Sequence, residues 1–242
     1  MTHPYNGILL VDKPSGISSF NVIYKLRKIL NMKKIGHAGT LDPLATGLLI
    51  ILLGKATKAS QYLILHDKVY EGEIKLGEAT DSYDAEGKIT ATKDFEHVSK
   101  EDVHVAIKHQ TGEFEQLPPM FSAIKVDGQR LYKAARKGIE IKRDTRSVNV
   151  YQFDLLQFNT PLLNIRIHCS KGTYIRSIAH DLGEELNCGA HLSSLRRVQS
   201  GEFKIEDSLT LEKIEAMTAD DVSSSLQDHQ VFIPVKNQIK NI

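Results

Sequence analysis

The chain has 242 residues, of which 41% are hydrophobic and 25% charged, enough apolar material for a sizeable core in one large domain or two small ones. Its longest apolar run, residues 48–53, is far below the ~20 residues of a membrane span, and residues 1–6 are polar, followed by an apolar stretch too short for a signal peptide. Two cysteines make no disulfide framework, so the cytosol is the expected compartment.

The formal net charge of +1 conceals an asymmetry. Residues 123–146 hold eight Lys and Arg (Lys125, Arg130, Lys133, Arg136, Lys137, Lys142, Arg143 and Arg146) against Asp127, Glu140 and Asp144. Residues 202–228 reverse the sign, with eight acids against Lys204 and Lys213. A basic face on a near-neutral protein suits a polyanionic partner, although a solvated basic helix gives the same pattern.

In chain order, Gly7-Ile8-Leu9-Leu10-Val11 reads as a buried strand ending in the turn Asp12-Lys13-Pro14-Ser15-Gly16. Ser18 or Ser19 then caps a helix predicted to carry Phe20, Ile23, Leu26 and Leu30 on one face. Residues 36–47, dense in Gly, Thr and Pro, read as a loop. Residues 48–53 form a buried strand that Gly54 breaks, and residues 56–65 a helix. The alternation over residues 69–76 predicts a half-buried strand. Residues 101–110 suit a helix, and Leu117-Pro118-Pro119 ends any regular element. Residues 148–158 and, more cleanly, 164–169 read as strands. Lys171-Gly172-Thr173 turns into a helix whose core face is Ile175, Ile178, Ala179 and Leu182, at i, i+3, i+4 and i+7. Strands and helices alternate without a regular βαβ repeat, which predicts an α+β fold. No linker divides the chain, so one domain over residues 1–230 is expected, with an acidic helical segment near 206–228 and a tail at 231–242.

Several chemistries lack their motif. Residues 47–57 do not make a phosphate loop, because Leu49 stands where the first Gly is required and Ala56 where Ser or Thr is required. There is no G-x-S-x-G elbow and no H-E-x-x-H helix. Cys188 and His191 have ligand spacing without a second pair, so no metal is expected.

The informative stretch is Gly36-His37-Ala38-Gly39-Thr40-Leu41-Asp42-Pro43-Leu44-Ala45-Thr46-Gly47. Pro43 pushes Asp42 into an extended conformation, and the glycines allow a ligand close to the backbone. A carboxylate there suits a nucleophile or base, while Asp-Pro is also an ordinary turn dipeptide.

Taken with Gly7 through Pro14, Asp67-Lys68-Val69-Tyr70, Pro118 through Lys125, Lys171 through Ser177 and Leu195-Arg196-Arg197, that loop resembles the TruB family of tRNA pseudouridine synthases. The matches occur in family order over nearly the whole chain. The resemblance implies a pseudouridine synthase fold, a mixed and mainly antiparallel sheet flanked by helices and loops. It implies cofactor-free isomerisation of uridine 55 in the tRNA T loop, with Asp42 as catalytic aspartate attacking either C1′ or C6 of a flipped-out uridine. Tyr70 is then the residue stacking on the base, Tyr174 and Leu195 line its pocket, and His37 occupies space that the base vacates. Arg176, near a helix N-terminus where the macrodipole disfavours a cation, gains from an anionic partner and is expected to pair with Asp42. The basic stretch 124–146 resembles the RNA-gripping insertion, with Lys125, Arg130, Lys133 and Arg136 on phosphates.

The expected partner is the T arm of tRNA, with a monomeric enzyme, no membrane and no obligate protein partner. Many family members continue into a PUA-type RNA-binding module, for which the residues before Ile242 leave too little chain. A guide-RNA-dependent synthase subunit, or an RNA-binding folding chaperone with secondary catalysis, are the alternatives.

Overall fold

The computed structural model describes residues 5–122, 125, 126, 129, 130, 139 and 141–233. In chain order its elements are β1 (Gly7–Lys13), α1 (Ser19–Ile29), β2 (Ile35–Ala38), β3 (Thr46–Leu53), a 3-10 turn (Gly54–Ala59) running into α2 (Ser60–Leu63), β4 (Lys68–Leu76), β5 (Glu78–Thr80) and β6 (Ile89–Thr92). There follow α3 (Lys100–His109), β7 (Gly112–Gln116), the short pair β8 (Lys125–Val126) and β9 (Gln129–Arg130), β10 (Arg146–Asn159) and β11 (Leu162–Cys169). The last are α4 (Ile175–Glu185), β12 (Ala190–Ser200), β13 (Phe203–Lys204), β14 (Leu209–Thr210), α5 (Leu211–Glu215) and α6 (Ala219–Ser224). No helix among the described residues is long and apolar enough to cross a membrane. The chain divides into two units, residues 1–69 with 196–242, and residues 70–195.

The first unit is built on β3, buried at every position from Gly47 to Leu53. β1 runs antiparallel along it, Gly7 opposite Leu53 and Lys13 opposite Gly47, and β14 adds a parallel pair beyond β1. The other edge of β3 is shared. β2 takes its far end, Ile35 opposite Leu53 and Ala38 opposite Ile50, while Arg196 and Arg197 of β12 pair in parallel with Thr46 and Gly47. Ile8, Leu10, Ala38, Leu48, Ile50, Leu52, Ala56, Ala59, Leu63 and Phe203 form one core cluster. Each large side chain withdrawn from water there contributes about 1.5–3 kcal/mol.

α1 starts where the sequence places it, with the Ser18 hydroxyl accepting from the Asn21 amide at 3.1 Å. One expectation for its core face fails: Phe20 is 61% exposed, and Val22 joins Ile23, Leu26 and Leu30 inside. At 3.6 residues per turn, Val22 and Leu26 stack one turn apart around Ile23, and Phe20 falls outside that arc. The loop read over residues 36–47 is also shorter than expected, since β2 extends to Ala38 and β3 begins at Thr46. The acidic stretch contains two short helices, α5 and α6, each capped by a threonine hydroxyl (Thr210 and Thr218) with acids in its first turn.

In the second unit the strands lie in the order β4, β11, β10, β7. β10 is antiparallel to both neighbours, with Phe153 opposite Ile167 and Val148 opposite Phe114. α3 packs on β10 and α4. Its Val103, Ala106 and Ile107 are buried, as are Ile175, Ile178, Ala179 and Leu182 of α4, the face read from their spacing. β12, which sequence reading missed, is masked by its polar residues: Arg197 and Ser200 are buried as Leu192 and Leu195 are, so the strand shows no apolar alternation. Parallel pairs on a mainly antiparallel framework, interleaved with helices, give the mixed α+β class.

Candidate active site

Asp42 sits half-buried in the 39–45 connection between β2 and β3, and the backbone on both sides of it is pinned. The Ser19 hydroxyl accepts from the Leu41 amide at 2.8 Å and donates to the Leu41 carbonyl at 3.0 Å. The Gly16 amide donates to the Pro43 carbonyl at 2.9 Å, the Ala45 amide to the Asp42 carbonyl at 3.1 Å, and the Ser15 hydroxyl to the Leu44 carbonyl at 3.1 Å. Lys13, fully buried at the end of β1, donates through Nζ to the carbonyls of Pro14 (2.8 Å), Ile17 (2.7 Å) and Pro43 (3.2 Å). The turn Asp12-Lys13-Pro14-Ser15-Gly16 and the Asp42 loop are therefore one hydrogen-bonded body. A loop bonded on both flanks of one residue holds that carboxylate in place before any ligand arrives, which is what a reacting group requires.

A second buried cation closes the other side. Arg197 is 1% exposed, and donates from Nε to the Leu48 carbonyl at 2.7 Å and from Nη2 to the Gly39 carbonyl at 3.1 Å. Its neighbour Arg196 grips both Asp12 oxygens, at 3.0 and 2.7 Å. Gly47 is required here: its φ is +96°, and a Cβ would lie 2.4 Å from the Arg197 carbonyl oxygen. His37, at the end of β2, has a buried Nδ1 without a hydrogen-bond partner among the described residues. Burial, then the Arg197 charge, holds its pKa below the ordinary 6.5, so it is a neutral imidazole at neutral pH.

In the second unit Arg176 occupies the first turn of α4, with its side chain 5% exposed. Its Nη1 donates to the Ser82 carbonyl at 3.0 Å and its Nη2 to the Phe121 carbonyl at 2.8 Å. Asp84 lies 3.5 Å from Nη1 and is equally buried. The Asp84 carboxylate also accepts from the Ser82 hydroxyl at 2.5 Å and the Glu86 amide at 3.1 Å. A buried cation near a helix N-terminus thus has an anionic neighbour that sequence reading overlooked. The signal available was the polar turn Asp81-Ser82-Tyr83-Asp84, where short side chains bond their own backbone.

Tyr174 precedes α4, and its backbone is clamped by one amide side chain: its N–H donates to Gln116 Oε1 at 2.8 Å, and Gln116 Nε2 donates to its carbonyl at 3.1 Å. The Arg146 guanidinium lies 4.9 Å above the Tyr174 ring. Leu195 is 9% exposed, and Tyr70 is half-buried on β4. β4 and β12 approach closely, since a Cβ on Gly72 would fall 2.6 Å from the Ser194 carbonyl oxygen. Of the residues named from sequence, Asp42 and His37 belong to the first unit, and Tyr70, Tyr174, Arg176 and Leu195 to the second. The side chains of Lys125, Arg130, Lys133 and Arg136 lie outside the described residues. Among the described residues no group of three or more His, Cys, Asp or Glu could hold a metal ion, and His191 directs its Nδ1 to the Glu78 carbonyl at 2.9 Å.

Burial is also the main cause that lowers the pKa of His66, His180 and His229 from 6.5, as it does for His37. Unfolding frees these imidazoles to bind protons near 6.5, so their contribution to stability is intact above that pH and is lost as pH falls toward the folded values. The thermal midpoint is expected to drop between about pH 7 and about pH 5.5, followed by circular dichroism. Burial and then Glu184 push Asp181 up to about 6, which acts in the opposite sense over that range, so the decisive titration is that of Asp181→Asn, where a level or rising midpoint would contradict neutral burial of these rings.

This sheet architecture is that of the pseudouridine synthases. Over 96% of its length the chain matches the solved structure of a Cbf5–Nop10–Gar1 complex, with 30% identity and a TM-score of 0.73, spanning 62% of that chain. An archaeal box H/ACA Nop10–Cbf5 complex matches over 95%, with 26% identity and a TM-score of 0.71, again spanning 62% of that chain. Residues 27–175 match the N-terminal domain model of the TruB family pseudouridylate synthases, and residues 176–236 the C-terminal domain model of tRNA pseudouridylate synthase B. The chain belongs to the TruB family. It is 51% identical over 221 residues to the tRNA pseudouridine synthase B of Opitutus terrae, covering 91% of this chain and 92% of that one. It is 46% identical over 216 residues to that of Syntrophotalea carbinolica, covering 89% and 71%.

Proposed function

We propose that this enzyme isomerises uridine 55 in the T loop of tRNA to pseudouridine, with Asp42 as nucleophile. The observation that carries the reading is the Asp42 loop, whose backbone is bonded on both sides of a single carboxylate. The T-loop uridine is extruded from the folded RNA. Asp42 attacks C1′ or C6, the bond between N1 and C1′ breaks, and the uracil rotates in place. C5 then bonds to C1′, the C5 proton leaves, N1 acquires a proton, and Asp42 is regenerated. Atoms are conserved throughout, so no cofactor enters the balance.

In this reading Tyr70 stacks on the extruded base, and Tyr174 and Leu195 form the pocket wall. His37, neutral and short of a hydrogen-bond partner among the described residues, fills the space that the base leaves. Arg176, held by Asp84, keeps Asp42 ionised and oriented. Lys125, Arg130, Lys133 and Arg136 grip phosphates, while the T-loop shape supplies specificity. The enzyme acts in the cytosol as a monomer, residues 1–230 being its catalytic domain. That the relatives from Opitutus terrae and Syntrophotalea carbinolica are named for tRNA supports tRNA over a guide-RNA particle as partner.

The test of the RNA grip is Lys133→Ala combined with Arg136→Ala. Affinity for a T-arm hairpin should weaken, and the slope of log affinity against log salt should flatten by roughly 1–2. An unchanged slope contradicts the assignment.

A further inference from the structure

Asp84 and Arg176 have immediate neighbours that also meet. Tyr83 precedes Asp84, and His180 lies one turn beyond Arg176 on α4, on the same helical face. The Tyr83 and His180 rings stack with centroids 3.9 Å apart and planes 5° from parallel. Two adjacent loop residues therefore grip two residues one turn apart on one helix, the first pair by charge and the second by ring contact. Tyr83 adopts φ +66°, a left-handed conformation that a bulky residue enters at a cost and keeps only where its surroundings impose it. The surroundings are visible. The Tyr83 amide donates to the Thr80 carbonyl at 3.2 Å, and its carbonyl accepts from the Leu192 amide at 3.0 Å. Ser82, on the other side of Tyr83, supplies the carbonyl that Arg176 binds.

We propose that Tyr83 and His180 are positioning residues whose stack sets the register of the 80–87 turn on α4 and so aims the Arg176 guanidinium. The proposal rests on the reading of Arg176 as part of the active site. Burial holds the His180 imidazole in its neutral form, with Glu184 opposing and Lys93 reinforcing that shift, so the contact is a ring stack rather than an ion pair. Without the stack, the turn keeps its backbone bonds to Leu192 but loses the contact that fixes its angle to the helix. A small displacement of the guanidinium then lowers the rate without altering RNA contacts made elsewhere.

The test uses the full chain with a T-arm hairpin carrying 5-tritiated uridine, reading kcat, KM and the thermal midpoint. Tyr83→Gly keeps the left-handed backbone and removes the ring, and His180→Ala removes the other ring. Both should lower kcat about tenfold with KM unchanged, the scale on which a misplaced group slows a reaction. Tyr83→Phe and His180→Phe, which retain ring-on-ring contact, should stay near wild type. Arg176→Ala is run alongside. If Arg176→Ala is slow while Tyr83→Gly and His180→Ala turn over at the wild-type rate, the clamp is wrong and the reading of Arg176 stands. Wild-type kcat in Arg176→Ala overturns that reading itself. Should Tyr83→Gly fail to fold, His180→Ala against His180→Phe decides, and equal rates in those two overturn the proposal.

Discussion

Asp42→Asn should reduce turnover by at least about 10⁴-fold, the order of loss seen when a covalent nucleophile is removed, while leaving T-arm affinity within a few-fold of wild type. The two side chains have nearly the same shape, and the loop backbone is bonded on both sides through carbonyls and amides: Ala45 reaches the Asp42 carbonyl, Ser19 reaches Leu41, and Gly16 and Lys13 reach Pro43. The loop should therefore keep its course in the variant, and thermal unfolding should shift little. Asn lacks the negative charge and the nucleophilicity, and chemistry alone should suffer. Tritium release from 5-tritiated uridine measures turnover, and filter binding of the same hairpin measures affinity. Turnover within an order of magnitude of wild type would remove Asp42 from the mechanism.

The second large effect is expected at Asp84. Its side chain and that of Arg176 are each 5% exposed, so Asp84→Ala takes a buried carboxylate away from a buried guanidinium. Breaking a buried pair from one side costs about 3–5 kcal/mol, because water does not replace the lost carboxylate. The carboxylate also organises its own turn through Ser82 and the Glu86 amide, and those bonds go with it. Asp84→Asn, which retains an acceptor but not the charge, should cost less. Denaturant titration reads the difference, and kcat should fall in both variants if Arg176 acts in catalysis. A stability change within about 0.5 kcal/mol for Asp84→Ala, the range of ordinary surface substitutions, would show that the pair does not bear on the fold.

What was legible in the sequence divides along a physical line. A continuous apolar run identified β3 and helical spacing the core face of α4, because burial of side chains leaves a pattern in their order. A cap hydroxyl at Ser18 was legible for the same local reason. Phe20 misled because one aromatic at the edge of a helical arc fits the pattern as well as Val22 does, and only the packed neighbours decide. Lys13 and Arg197 were not legible as buried groups, since composition assigns cations to the surface. Their partners are backbone carbonyls, which every residue carries and no sequence pattern marks: Lys13 reaches Pro43 across thirty residues, and Arg197 reaches Leu48 across 149. Asp84 escaped for a related reason. Its pairing with Arg176 joins distant parts of the chain, and neither local spacing nor charge pattern predicts it. Asp42 was proposed from the resemblance of its loop to the TruB family, and the bonds to carbonyls on either side of it are what hold that loop in place.

This chain is expected to make pseudouridine at one position in the T loop of tRNA. The direct measurement is to incubate the wild-type protein with an unmodified tRNA transcript, derivatise with carbodiimide, and map the stops by primer extension. A single enzyme-dependent stop at uridine 55, absent with Asp42→Asn, is the predicted result. No enzyme-dependent stop, or a stop at uridine 55 that persists undiminished in Asp42→Asn, would contradict the account.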